Sequence, residues 1–98
     1  MAKYKILCWH GIPCQVRATD ENGRANKRLS DRFQVAIDSA AMALGIIGSD
    51  EYTDGFRWDD EIEIPGTAYE VADSIVSELE IKYQRIDWKT VAAKLENK

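Results

Sequence analysis

The segment from Cys8 to Cys14 carries the most reactive side chains of the sequence, two thiols and the single histidine, His10. The spacing places the cysteines on either side of a predicted hairpin loop, where two thiols can approach within disulfide or metal-sharing range. A closed zinc site uses four ligands, so a carboxylate or water would have to complete this one. We favour the alternative that both cysteines are small buried side chains in strands. A thiol or metal-binding protein using Cys8, His10 and Cys14 stays open as the second functional hypothesis.

His10 could also act as a general base, but such a base needs a nucleophile or a substrate pocket beside it. The sequence indicates neither, and a histidine next to Gly11 is typical of a surface loop. We find no catalytic constellation and predict a non-enzymatic protein that needs no cofactor.

Four carboxylates lie close together at Asp59, Asp60, Glu61 and Glu63. In a strand, alternation sends Asp60 to the face opposite the other three, so the four cannot converge on one calcium ion. This pattern favours a solvated strand face.

Basic residues gather at Arg17, Arg24, Lys27 and Arg28. Arginine forks suit a phosphate or an acidic partner. Because no glycine-rich phosphate loop accompanies these residues, we interpret them as charges that protect a sheet edge.

Trp9, Trp58 and Trp88 could line a small-ligand pocket, since indole offers a flat surface and one donor. Their phase with the apolar residues of their segments favours core packing instead.

The elements that must position these residues begin with three predicted strands. Apolar and polar residues alternate over Tyr4–Trp9 and Cys14–Thr19, and Arg24–Leu29 is predicted to return after Asn22–Gly23. Asn-Gly is a strong hairpin signal because both residues tolerate the positive φ of a tight primed turn. The first third therefore predicts a meander.

A helix is predicted from Ser30, a good N-cap, to Gly45, a good left-handed terminus. Its far side is also apolar, which indicates cover by the C-terminal helices or contact with a second copy. After a connector, alternation over Phe56–Ile64 predicts a fourth strand. A capping box at Thr67 and Glu70 opens a helix to about Gln84, and Asp87 can cap a last one.

We thus expect one α+β domain over residues 1–98, in the order β-β-β-α-β-α-α. The sheet should be mixed but mostly antiparallel, with about four strands and helices packed on one face. A right-handed crossover would join strands three and four if they are parallel.

Composition and charge restrict the partners. The net charge of −4 argues against general nucleic-acid binding, and no apolar stretch approaches a membrane span. Two cysteines without an export signal favour the cytoplasm. The charge is uneven: residues 15–34 carry five basic against three acidic residues, and residues 49–63 carry seven acidic residues against Arg57. Such asymmetry can orient a protein partner.

The sequence resembles the bacterial virulence factor family, which is similar to a domain of conserved virulence factor C. The matching residues fall between Tyr4 and Trp58: Trp9, Ile12–Pro13, Gln15–Val16, Arg32–Gln34, Ala36–Asp38, Ala40–Met42, Gly45, Asp50, Tyr52 and Trp58. The chain departs from the family pattern at His10, Gly11 and Cys14, which weakens a family-wide role for Cys14. The resemblance implies no reaction or cofactor.

Polar residues in this match that have no obvious structural role are Gln15, Arg32, Gln34, Asp38, Asp50 and Tyr52. We predict that they form the binding surface of a small accessory domain, docking a protein partner through the first helix and the connector after it. Association of two copies remains an alternative.

Overall fold

The computed structural model of the chain describes residues 1–96, which form five strands and four helices. In chain order they are β1 (Ala2–Trp9), β2 (Ile12–Asp20), β3 (Gly23–Arg28), α1 (Asp31–Leu44), α2 (Asp50–Asp54), β4 (Phe56–Trp58), β5 (Ile62–Ile64), α3 (Ala68–Lys82) and α4 (Trp88–Glu96). The predicted α+β class and element order are confirmed. Two details differ: the connector contains the short helix α2, and the fourth strand is divided in two.

The sheet has the order β3-β2-β1, with β4 and β5 both on the far side of β1. Every strand pairing among residues 1–96 is antiparallel, so the expected mixed sheet is antiparallel throughout this part. Since α1 carries the chain from one edge of the sheet to the other, β3 and β4 are not neighbours. The right-handed crossover considered for adjacent parallel strands therefore does not arise.

The predicted fourth strand divides because its pairing register with β1 shifts by one residue. Trp58 pairs with Leu7, whereas Ile62 pairs with Tyr4. The intervening residues 59–61 are three exposed carboxylates, and the backbone N–H of Asp59 donates to the carbonyl of Ile6 at 2.9 Å. An extra residue of this kind is a bulge, and here it lets the acidic segment stay in water at the sheet edge.

The β1–β2 and β2–β3 hairpin turns each contain two residues, but only the β1–β2 turn has both residues at positive φ. His10 and Gly11 have φ of 46° and 90°, as a primed turn requires. In the second hairpin Asp20 pairs with Gly23, and the Asp20 carboxylate accepts from the N–H of Asn22 at 2.7 Å. The Asn22–Gly23 hairpin is confirmed, although only Gly23 has a positive φ there.

A second bulge moves Trp9 into the core. Simple alternation along β1 would place Trp9 on the face opposite Ile6. The register between β1 and β2 shifts between Leu7 and Cys8, so that Cys8 pairs with Pro13. Trp9 is consequently fully buried and packs with Ile12. Burying a side chain of this size contributes on the order of 1.5–3 kcal/mol.

The helices pack on one face of the sheet, over two adjoining clusters. Phe33 and Ile37 of α1 pack with Trp9 and with Ala92 of α4. Val71, Ala72 and Ile75 of α3 pack on Val16 and Ala18 of β2. Val76 and Leu79 of α3 contact both clusters and join them.

The helix ends follow the predicted signals closely. Thr67 and Glu70 form the capping box of α3, with both hydrogen bonds at 3.2 Å. Asp87 accepts from the N–H of Thr90 at 3.1 Å at the start of α4. Gly45 ends α1 with φ of 71°. Each helix within residues 1–96 is too short or too polar to cross a membrane.

Candidate functional site

Three of the six predicted binding residues, Gln34, Asp38 and Tyr52, lie together. The four-residue spacing of Gln34 and Asp38 places them on one side of α1, and Gln34 Nε2 donates to Asp38 Oδ1 at 2.9 Å. Tyr52 of α2 reaches the same point: its hydroxyl donates to Asp38 Oδ1 at 2.7 Å and accepts from Gln34 Nε2 at 3.1 Å. We call these residues the polar triad. All three are half-buried, so each keeps part of its surface open to solvent.

Tyr52 is positioned by the core as well as by the triad. The indole Nε1 of Trp9 donates to the Tyr52 carbonyl at 2.8 Å, and the Tyr52 ring packs edge-on against Phe56 with centroids 5.5 Å apart. Ser49 caps α2 by accepting from the Tyr52 N–H at 3.4 Å. Burial, the hydrogen bond to Asp38 and the Asp38 charge raise the Tyr52 pKa, outweighing the opposite effect of Gln34. The phenol therefore stays neutral and serves as a donor.

Arg32 lies on the same helix as the triad, but its guanidinium serves the fold. It donates to the carbonyls of Tyr83 and of Glu80, the latter at 2.8 Å, and pairs with the Glu80 carboxylate at 3.0 Å. Carbonyls at a helix C-terminus lack intrahelical donors, and Arg32 supplies them for α3.

Glu80 in turn holds the start of α1. The predicted N-cap residue Ser30 is confirmed in position, but its side chain makes no capping bond within its own helix. Instead, Ser30 N and Oγ both donate to the Glu80 carboxylate at 2.8 Å. Burial raises the Glu80 pKa, but the donors from Ser30 and Arg32 outweigh it and hold that pKa below its ordinary value.

The remaining two predicted residues stand apart from the triad. Asp50 is exposed in the first turn of α2, where a carboxylate complements the helix dipole. Gln15 pairs with Leu7 and Arg28, whereas its neighbour Val16 is buried under α3. Gln15 therefore lies on the helix-free face of the sheet, away from α1.

Exposed apolar side chains flank the triad. Val35 and Met42 of α1 are 61% and 60% exposed, while Ala36 beside them is 4% exposed. The two are seven residues apart, so they lie along one side of α1 with Asp38 between them. The sequence predicted an apolar patch here, because the far side of the first helix is also apolar. Packing of α4 on α1 covers part of that side and leaves Val35 and Met42 open.

A shallow groove of about 240 Å³ adjoins Val35. Its lining residues come from α1 and from the start of α4 with the segment before it: Arg32, Val35, Ala36, Gln84, Ile86 and Trp88. The lining combines apolar side chains with the Arg32 guanidinium and the Gln84 amide, so it can contact both apolar and polar groups.

The hypothesis of a thiol or metal site at Cys8, His10 and Cys14 is not supported. Among residues 1–96 no three His, Cys, Asp or Glu side chains are grouped so that they could hold a metal ion. The bulge pairs Cys8 with Pro13 rather than with Cys14, and both cysteines are free thiols. The geometric reason is that the two-residue turn and the bulge put the thiols out of register.

The electrostatics of the thiols also oppose reactivity. Burial, the Asp59 charge and Cys14 raise the pKa of Cys8 to about 12. Burial raises the pKa of Cys14 as well, against the opposing effect of Arg28. Since the thiolate is the nucleophile, neither cysteine is a good candidate for a reactive thiol at neutral pH.

The three tryptophans do not share a pocket. Trp9 is fully buried in the core, Trp88 lines the groove beside Val35, and Trp58 lies opposite Leu7 on the helix-free face. A ligand pocket lined by all three is excluded by these positions. Asp59, Asp60, Glu61 and Glu63 are all exposed, in agreement with a solvated edge.

Comparison with protein families matches residues 7–91 to a family described as Virulence factor. Neither the curated proteins nor the solved structures contain a match to the chain.

Proposed function

The chain belongs to the virulence factor family, and we propose that it is a non-enzymatic accessory module that binds another protein. The family description names no reaction, so the proposal stands on one surface. We define the α1 face as Val35, Asp38, Met42 and Tyr52 together with the groove beside Val35. The proposal places the module in the bacterial cytoplasm, where Cys8 and Cys14 stay reduced.

The observation that carries this proposal is the exposure of Val35 and Met42 on either side of a half-buried polar triad. Burial of each of these two apolar side chains under a partner would contribute about 1.5–3 kcal/mol of binding free energy, which the isolated chain lacks. Exposed apolar groups rimmed by polar ones are the usual anatomy of a protein-binding surface.

The triad suits the same role because it is ordered before any partner arrives. Tyr52 is held by Trp9, Phe56 and Asp38, so little side-chain entropy remains to be lost on binding. Tyrosine is among the residues that dominate binding energy when a partner covers it. An apolar side chain of the partner would enter the groove next to Val35.

Site-directed photocrosslinking tests the proposal. A photoreactive phenylalanine analogue is placed at Val35, at Met42 or, as a matched control, at Ile81 of α3, which is 68% exposed. We expect a discrete adduct with one protein from positions 35 and 42 and none from position 81. The adduct is identified by mass spectrometry, and the purified partner is then titrated against the chain.

Charge substitution supplies the quantitative test. The Val35→Glu and Met42→Glu variants should each weaken binding of the purified partner by roughly tenfold or more, since burying an unpaired carboxylate is costly. Ile81→Glu should bind as the parent does. Unchanged affinity of both α1 variants, with circular dichroism showing an intact fold, would contradict the proposal. Crosslinking to a second copy, with a doubled mass in solution, would assign the face to self-association instead.

A further inference from the structure

The helix-free face of the sheet presents three rows of side chains that run across the strands. Residues directly opposite one another in a sheet share a face. The rows are Arg28–Gln15–Leu7–Trp58, Asn26–Arg17–Lys5 and Arg24–Thr19–Lys3–Glu63. We call these residues the basic sheet face. Within residues 1–96 none of them is buried or belongs to either core cluster.

The face concentrates positive charge in a chain whose net charge is −4. The rows contain five cations, Lys3, Lys5, Arg17, Arg24 and Arg28, and one carboxylate, Glu63. The ion pairs among residues 1–96 are Lys27–Asp73 and Arg32–Glu80, so none of the five cations is paired with a carboxylate. Like charges placed side by side repel one another, and an anionic ligand would remove that repulsion.

The ring of Trp58 contacts two of these cations. Lys5 Nζ lies 5.1 Å and Arg17 Cζ 4.7 Å from the centroid of its ring, within the range of cation–π attraction. Arg17 Nε also donates to Asn26 Oδ1 at 2.9 Å. With its Nε fixed in this way, the terminal nitrogens of the Arg17 fork remain free to meet a carboxylate in a bidentate pair.

We propose that the basic sheet face binds an acidic peptide segment, rich in Asp and Glu, of a partner protein. Carboxylates would meet the five cations, and an aliphatic stem would cover Leu7 and Trp58, the apolar members of the row that begins at Arg28. A single-stranded nucleic acid fits less well, because stacking successive bases needs several open rings and Trp58 already carries two cations. This inference is independent of the α1 face, which lies on the helix side of the sheet.

The probe is a fluorescein-labelled decapeptide of alternating Asp and Glu, titrated with the intact chain and followed by anisotropy. Two comparison probes are an alternating Ser and Gln decapeptide and a thymidine decanucleotide. We expect binding of the acidic peptide that weakens as salt rises, with amide NMR shifts concentrated on β1, β2 and β3. The other two probes should bind at least about tenfold more weakly.

The variant Lys5→Gln with Arg17→Gln should lose roughly tenfold or more in affinity for the acidic peptide. The matched control is Lys82→Gln with Lys89→Gln. It also removes two cations that lie over aromatic rings, but these cations are on the helices α3 and α4 and not on the sheet face. Equal losses in both double variants, or equal or tighter binding of the decanucleotide, would overturn the proposal. So would concentration-dependent self-association abolished by Lys5→Gln with Arg17→Gln, since a second copy would then be the occupant.

Discussion

The hydroxyl of Tyr52 donates a 2.7 Å hydrogen bond to the Asp38 carboxylate and thereby attaches α2 to α1. The same α2 residue accepts from the Trp9 indole through its backbone carbonyl. One residue of a short helix is thus connected both to the side of α1 and to the core. The position of the connector depends on these contacts, because α2 contributes no buried residue of its own.

Tyr52→Phe is expected to lower the free energy of unfolding by about 1 kcal/mol, since it removes the hydroxyl and leaves Asp38 with one fewer donor. Urea denaturation measures this change. Tyr4→Phe is the control, because the Tyr4 hydroxyl makes no hydrogen bond with another residue of the described range 1–96. In a phenol absorbance titration, Tyr52→Phe should lose a transition whose pKa lies above the ordinary value of 10.0. Equal stability of the two variants would contradict the structural role given to the triad.

Glu80→Gln is expected to destabilise the chain by about 1–2 kcal/mol at neutral pH. The amide keeps one acceptor oxygen but loses the charge that receives Ser30 and Arg32. Glu78→Gln on the same helix is a matched control, because Glu78 is exposed. Thermal denaturation of both variants measures the difference.

The Glu80 effect should depend on pH in a defined direction. A carboxyl whose pKa is lower in the folded state contributes stability above its unfolded pKa and loses that contribution as pH falls through the folded value. Because the Glu80 pKa lies below the ordinary 4.5, the gap between the parent and Glu80→Gln should be full at pH 6–7 and shrink below about pH 4.5. A gap that is constant down to pH 3 would show that the carboxylate charge is not the cause.

Gly55→Ala is expected to cost about 1–3 kcal/mol by overpacking. A Cβ at this position would collide with the Trp9 indole and approach His10 Nε2 to 2.8 Å, although the backbone φ of −72° suits alanine. Gly45→Ala is the contrast: its Cβ would meet nothing within 4 Å, but φ is 71°, so only backbone strain of about 1 kcal/mol applies. The indole N–H resonance of Trp9 should move in Gly55→Ala and stay in place in Gly45→Ala.

Cys8 should be an inert thiol at neutral pH. With Cys14→Ser as the background, alkylation of native Cys8 by iodoacetamide at pH 8 should be about a thousandfold slower than in urea, because a pKa of about 12 in place of 9.0 lowers the thiolate fraction by that factor. The rate should keep rising with pH well beyond the ordinary value of 9.0. Rapid alkylation at pH 7, or stoichiometric zinc in the purified chain, would restore the thiol or metal hypothesis.

Part of the candidate site could be predicted from the sequence because the patterns that indicate it are local. The spacing of Gln34 and Asp38 on a helix predicts a shared side, and Asp50 with Tyr52 follows a clear helix terminus at Gly45. Arg32 had the same sequence signal as Gln34. Arg32 instead donates to the end of α3, a helix that begins thirty-six positions later. No local sequence pattern predicts a contact between residues so far apart in the chain.

Local sequence determined the elements of this protein: turn residues and caps at Gly11, Gly23, Gly45 and Thr67 act within a few residues of themselves. Only the tertiary structure decided where the alternation along the strands breaks, because the two bulges interrupt it before Trp9 and after Trp58. The bulge between β1 and β2 brings Trp9 into the core and pairs Cys8 with Pro13 instead of Cys14. A one-residue change of register reverses the faces, and its cost depends on packing partners that are distant in the chain.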